Sequence, residues 1–115
     1  MEAAAEIPYE NMVRLCGRVA REPVERTLPS GDKLTTMRVI VRRSRRARRR
    51  SRITVDAFEC VAWTSRLQRS IAGLGPDDVV EVEGELRRRF RRVSGAPVSR
   101  VEIELSACRM VAKAS

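Results

Sequence analysis

Residues 42–52, RRSRRARRRSR, contain eight arginines, and this arginine stretch is the strongest chemical feature of the chain. A guanidinium group binds a phosphate through two parallel hydrogen bonds and can also lie flat on a nucleobase. The chain carries a formal net charge of +9, and without these eight arginines the charge would be +1. Because the excess charge is concentrated in one place, the sequence indicates a polyanionic partner.

The arginines of this stretch are predicted to contact the phosphates of a nucleic acid. They are Arg42, Arg43, Arg45, Arg46, Arg48, Arg49, Arg50 and Arg52. The alternative is a solvated loop, since a dense block of like charge repels itself and often stays disordered. Disorder is compatible with binding, because such segments commonly become ordered on their partner.

Sequence-independent binding of a single strand also needs flat side chains on which bases stack. Trp63 is the best candidate, although a tryptophan here could instead close one end of the core. Phe90 is equally compatible with stacking on a base and with a place in the core. Phe58 is predicted to lie in the core. A second basic run, RRRFRR at residues 87–92, can turn only about half of its arginines toward one ligand, because side chains alternate along a strand. The binding candidates in this run are Arg87, Arg89 and Arg91.

Several kinds of chemistry are disfavoured by the composition. The chain has no histidine, the commonest general base and transition-metal ligand. Glu81, Glu83 and Glu85 share one face of a predicted strand, with successive residues about 6.5 Å apart. Pairing with cross-strand arginines is therefore expected rather than metal binding. No nucleophile and base occur together. The sequence therefore predicts a protein that is not an enzyme and that holds neither metal nor cofactor.

The cysteines and the hydropathy pattern indicate the compartment. Cys16, Cys60 and Cys108 are far apart and each sits in an apolar stretch, so they are predicted to be reduced, buried thiols. No apolar run approaches the roughly 20 residues that a membrane helix needs. The acidic N-terminus, MEAAAEIPYE, does not resemble a signal peptide. A cytoplasmic location, without membrane attachment, is expected.

The elements that must position these side chains are mostly strands. Alternation of period two predicts strands within 11–20, at 34–41, at 53–63, at about 78–92 and within 99–110. On the fourth strand, Val80, Val82 and Leu86 are predicted to face the core. Residues 21–32 contain turn signals, and one helix is predicted after a cap at Thr64 or Ser65, ending at Gly73 or Gly75. Three strands, a helix and two strands predict an all-β chain, an OB-fold barrel of five strands with one short helix between strands 3 and 4.

The same segments resemble the bacterial single-stranded DNA-binding protein (SSB) family. The resemblance is carried by NMVRLCGRVAREPVERTLPSGDKLTTMRVIV from Asn11, FECVAW at 58–63, VVEVEGELRRRF at 79–90 and VSRVEIELSACRM at 98–110. It implies an OB fold, binding of single-stranded DNA without sequence specificity in replication, repair or recombination, and a homo-oligomer, usually a tetramer. It also implies a nucleoid-associated protein in the cytoplasm.

The chain departs from that family in three places. Trp63 falls on a position similar to a family stacking aromatic, but another such position falls on Ala57. Phe90 lies one residue before the position of a third family stacking aromatic. It is predicted to be on the same face of the strand as Leu86, so its side chain could point inward. The chain ends CRMVAKAS, without the acidic tip through which relatives recruit repair proteins, so that recruitment is not expected. The glutamates of the fourth strand occupy a face that relatives often use for subunit contacts, which leaves tetramer or dimer open.

These departures leave an alternative function open. Primosomal protein B resembles an SSB without the tail and most stacking residues, so the chain could instead be an adaptor or assembly module that binds nucleic acid weakly and recruits a protein. The predicted organisation is an N-terminal arm at 1–10, an OB-fold domain at 11–112 with its basic hairpin loop at 42–52, and a C-terminal end at 113–115.

Overall fold

A computed structural model describes residues 7–115, so most of the predicted N-terminal arm lies outside the described residues. The described part of the chain forms six strands and two helices. In chain order they are β1 (Val13–Val19), β2 (Val24–Thr27), β3 (Lys33–Arg42), α1 (Arg45–Arg48), β4 (Val55–Ala62), α2 (Ser65–Ala72), β5 (Val79–Val93) and β6 (Ala96–Ala112). None of the helices in residues 7–115 has the length and apolar character needed to cross a membrane.

Five of the strands close into a barrel. The hydrogen-bonded order β1-β5-β6-β4-β3 returns to its start because β1 also pairs with β3. The pairings are antiparallel except β4 with β6, which is parallel at Cys60 and Val61. This closed barrel, with α2 between the third and fourth barrel strands, confirms the predicted OB fold. Helix α2 begins as expected, since the Thr64 hydroxyl accepts a hydrogen bond from the Leu67 amide at 3.2 Å.

Strand β2 was not predicted, because Pro23 and the Pro29–Gly31 turn make its surroundings read as a loop. It pairs with the first half of β3, where Val24 lies opposite Thr36 and Thr27 opposite Lys33. The edge of β3 is thus shared: β1 pairs with it at Val39 and Ile40, and β2 pairs with it at residues 33–36.

The core follows the predicted alternation over most of its strands. It is formed by Val19, Met37, Val39, Cys60, Ala62, Ile71, Leu74, Val80, Val82, Ile103 and Leu105. The prediction for Leu86 is wrong, however, since this residue is 45% exposed. Beyond Gly84, β5 and β6 leave the barrel as a long hairpin, so the face that is inward at Val82 meets solvent at Leu86.

The free edge of this hairpin next to β1 is capped by a side chain. Asn11 donates from its amide nitrogen to the Leu86 carbonyl at 2.9 Å and accepts from the Leu86 amide at 2.8 Å. Both main-chain groups of Leu86 are therefore satisfied just beyond Val13, where the pairing with β1 ends.

The thiols differ in their surroundings. Cys60 is buried, and burial raises the pKa of its thiol to about 12. Burial also raises the pKa of Cys108, which packs against the core. The prediction that all three thiols are buried is wrong for Cys16, which is exposed on the outer face of β1. Both thiols that face the core therefore stay protonated and unreactive at neutral pH.

At two places neighbouring strands come so close that only glycine fits between them. A Cβ added at Gly17 would lie 2.2 Å from the Ile40 carbonyl oxygen, and one added at Gly84 would lie 2.2 Å from that of Glu104. Both obstacles are backbone atoms, which cannot move aside as a flexible side chain can. The first crossing is the place where β1 meets β3 and the barrel closes.

We expect Gly17→Ala to destabilise the protein by about 1–3 kcal/mol, because the added methyl group forces β1 and β3 apart. Urea unfolding measures this loss as a lower midpoint at an unchanged slope. Gly73→Ala is the matched control, since a Cβ at Gly73 has no neighbour within 4 Å among the described residues. A Gly17→Ala midpoint equal to that of the control would contradict this account of barrel closure.

Candidate nucleic-acid interface

A groove lies on the outer face of β2, β3 and β4, under the β5–β6 hairpin. Every second residue of each strand faces the groove, and these residues are aligned across the three strands. Val24, Thr36 and Val61 lie side by side, and Arg26, Leu34 and Trp63 do so one step further along. The groove has a volume of about 700 Å³. Its lining is Arg21, Val24, Arg26, Leu28, Leu34, Thr36, Glu59, Val61, Trp63, Arg89, Phe90, Arg91, Val98, Arg100 and Glu102.

Trp63 lies in this groove and is half-buried, with Arg89 over its ring. The guanidinium carbon of Arg89 is 5.4 Å from the ring centroid, a cation–π distance. Arg89 Nε donates to the Glu102 carboxylate at 2.6 Å, and its Nη2 is 3.6 Å from Glu104. The buried indole N–H of Trp63 has no hydrogen-bond partner among residues 7–115.

The groove is cationic and contains residues that the sequence analysis missed. Five arginines and two glutamates line it, for a formal net charge of +3. Arg26 was missed because β2 was read as a loop. Arg100 lies directly opposite Arg89, and pairing residues outward from the Ser94–Gly95 turn would have placed it there. Cross-strand pairing, which a linear reading does not use, is thus the signal for Arg100.

Phe90 belongs to the rim of the groove and not to the core. Its parity matches that of Leu86, as the sequence indicated, yet the side chain is 75% exposed because the hairpin has left the barrel at this point. The possibility that Phe90 points into the core is therefore wrong. Phe58 packs against the core, as predicted.

The arginine stretch lies at the far end of the β3–β4 hairpin, and the structure does not bring it together with Trp63 in one groove. None of its eight arginines lines the groove. Arg42 is nevertheless on the same face of β3 as Leu34 and Thr36, since these positions alternate with the inward ones. Eight residues of strand separate Leu34 from Arg42, a distance of about 26 Å. One continuous sheet face therefore joins the groove to the arginine stretch.

The arginine stretch has internal structure. Ser44 caps the single turn of α1, where its hydroxyl accepts from the Ala47 amide at 3.2 Å. Arg43 makes two hydrogen bonds to Asp56, at 2.9 and 2.7 Å. These bonds hold the pKa of the Asp56 carboxyl below its usual range and raise the pKa of Arg43. Arg43, predicted to bind phosphate, is thus engaged in an ion pair within the protein.

The remaining arginines of the stretch make no ion pair with any residue from 7 to 115. They are Arg42, Arg45, Arg46, Arg48, Arg49, Arg50 and Arg52. All are exposed except Arg48, which is half-buried. Seven guanidinium groups are therefore free of internal carboxylates at one end of the sheet face.

Outside the stretch, six of the fourteen arginines pair with carboxylates of the described residues, and all six lie on strands. Glu81 and Glu83 lie 3.6 and 3.2 Å from Arg14, which confirms the expected cross-strand pairing for these two glutamates, whereas Glu85 pairs within its own strand. Arg87 pairs with Glu85 and lies 3.5 Å from Glu104, outside the groove lining. The glutamates of β4, β5 and β6 are thus all paired with arginines.

A closed OB barrel whose outer groove combines an aromatic ring with arginines defines the class of oligonucleotide-binding proteins. The model of the single-strand binding protein (SSB) family matches residues 10–111, and the chain belongs to this family.

Two solved structures show the same fold. A Plasmodium falciparum SSB in complex with ssDNA has a TM-score of 0.75 at 24% identity, covering 93% of this chain and 97% of that one. A small single-stranded DNA-binding protein from Streptomyces coelicolor has a TM-score of 0.63 at 22% identity, covering 90% of this chain and 95% of that one. No curated protein matches in sequence.

We expect Arg43→Gln to lower the thermal unfolding midpoint at pH 7, whereas Arg45→Gln leaves it unchanged, because only Arg43 holds a carboxylate. The pKa of Asp56 is lower in the folded than in the unfolded state. The contribution of its ion pair to stability is therefore complete above the unfolded-state pKa and is lost as the pH falls through the folded-state pKa. The difference between the two variants should therefore shrink between pH 6 and pH 2. A difference independent of pH would contradict an ionic role for this contact.

Proposed function

We propose that the protein binds single-stranded DNA without sequence specificity along the outer face of β2, β3 and β4. The observation that carries the proposal is the continuity of this face, which runs from Trp63 in the groove to Arg42 at the start of the arginine stretch. Binding of a single strand requires a stacking surface and a cationic track, and this face offers both.

Different side chains serve the two requirements. Trp63 stacks with a base at the groove end, and the exposed ring of Phe90 at the rim offers a second platform. Arg91 and Arg100 in the groove, together with the free arginines of the stretch, contact phosphates. Since flat residues are few and charges many, affinity depends mainly on phosphate neutralisation and is strongly salt-dependent.

Family membership supports the following proposed cellular role. The protein acts without catalysis, in DNA replication, repair or recombination, in the cytoplasm with the nucleoid. It acts as a homo-oligomer, a tetramer or dimer, which is supported by exposed apolar side chains on β5 and β6. These are Leu86, Val101, Met110 and Val111.

The ligand is tested by competition among single-stranded DNA, duplex DNA and RNA of equal length, at two salt concentrations. Trp63 fluorescence is the readout, because Trp63 is the only tryptophan. We expect single-stranded DNA to compete best and to quench the emission. Equal competition by duplex DNA, or binding without a change in emission, would count against the proposed ligand or the stacking role respectively.

The phosphate role of the arginine stretch is tested with Arg45→Gln combined with Arg46→Gln. Each phosphate contact on a single strand contributes a slope of roughly −0.7 to the plot of log affinity against log salt. The double variant should therefore reduce the slope by about 1.4 units. The matched control is Arg66→Gln with Arg69→Gln, since both arginines are exposed on α2 and lie outside the groove lining. If both double variants changed the slope equally, the arginine stretch would have no special role.

A further inference from the structure

Arg89 differs from the other arginines of the groove in the way its guanidinium is held. Its guanidinium carbon lies over the Trp63 ring, 5.4 Å from the centroid, and two of its nitrogens face carboxylates. Its Nε donates to Glu102 at 2.6 Å, and its Nη2 lies 3.6 Å from Glu104. Arg91 and Arg100 line the same groove and pair with no carboxylate of residues 7–115.

This arrangement makes Arg89 a poor ligand for phosphate. A guanidinium binds a phosphate or a carboxylate through in-plane N–H groups. Glu102 and Glu104 occupy part of that edge, and their negative charges repel a phosphate brought close to it. A phosphate at Arg89 would have to bind beside these two carboxylates, whereas Arg91 and Arg100 have no paired carboxylate in the described part of the chain.

What Arg89 still offers is its planar group. The side chain is 43% exposed and lines the groove, so a ligand in the groove can reach it. Unstacked bases stack on arginine planes as they do on aromatic rings. Two ion pairs and an indole ring fix the plane in advance, which lowers the entropy cost of using it.

We propose that Arg89 is a stacking platform for a nucleobase, set over Trp63, with Glu102 and Glu104 as the residues that position it. The inference rests on the proposed binding of single-stranded DNA and specifies which part of the ligand meets Arg89. A guanidinium plane thus supplies a flat surface in a chain that has only one Trp, one Tyr and two Phe.

Two substitutions separate stacking from phosphate binding. Arg89→Lys keeps the charge and removes the plane, and it should weaken binding of a single strand by about tenfold, within the range measured for lost stacking. Arg89→Phe removes the charge and keeps a plane, and it should bind within about threefold of wild type, with a salt slope that changes by much less than the roughly 0.7 of a lost phosphate contact. Urea midpoints for both variants establish that each is folded.

An abasic oligonucleotide provides the second comparison, because it keeps the phosphates and lacks the bases. Wild type and Arg89→Lys should bind it equally. Arg69→Lys is the matched control, because Arg69 is an exposed arginine of α2 outside the groove lining, and this variant should bind both oligonucleotides like wild type.

The opposite pattern overturns the inference. If Arg89→Lys binds like wild type while Arg89→Phe loses affinity and a slope of about 0.7, Arg89 is a phosphate ligand. If Arg89→Lys weakens binding of the normal and abasic strands equally, the plane does not meet a base. Either result leaves the proposed function intact, whereas failure of the wild type to bind single-stranded DNA overturns both.

Discussion

The fold depends on how closely β1 can approach β3. Only Arg18 and Val19 of β1 pair with β3, and the crossing leaves no room for a side chain at Gly17. Because β1 takes only this short part of the β3 edge, the rest of that edge is available to β2. The same edge thus closes the barrel at one end and widens the binding face at the other. After Val19 the chain stays beside β3, since the Ala20 amide donates to the Arg38 carbonyl at 2.9 Å, and it continues into β2 at the groove.

Arginine has three different physical roles in this chain. On the barrel surface it is a structural cation, as in the pairs of Arg14 with Glu83 and Arg38 with Glu59. In the stretch at 42–52 it is mostly free of internal carboxylates, so its charge is directed outward. At Arg89 the guanidinium is paired with two carboxylates and lies over an indole ring. Net charge alone shows the second role, and the other two depend on which carboxylates the fold brings near.

Much of the fold could be predicted from the alternation of apolar residues and from turn and cap residues, because both signals are local in sequence. The five barrel strands, the cap of α2 at Thr64 and the core position of Phe58 are of this kind. The exposure of Leu86 and Phe90 was not predictable, since alternation tells which face a residue shares and not whether the barrel continues there. The sequence predicted which kinds of residue form the site, a tryptophan (Trp63) and arginines. It did not predict every residue, because the places of Arg100 in the groove and of Asp56 beside Arg43 depend on cross-strand neighbours.

The Asn11 side chain has a consequence for the solubility of the extended hairpin. A strand edge with unpaired N–H and C=O groups is a template on which another chain can add a strand, and a long, partly apolar edge is a hazard for aggregation. The carboxamide of Asn11 carries one donor and one acceptor, as a peptide group does, and it fills the position that a neighbouring strand would take at Leu86. A single residue before β1 thus protects the root of the hairpin from unwanted strand addition.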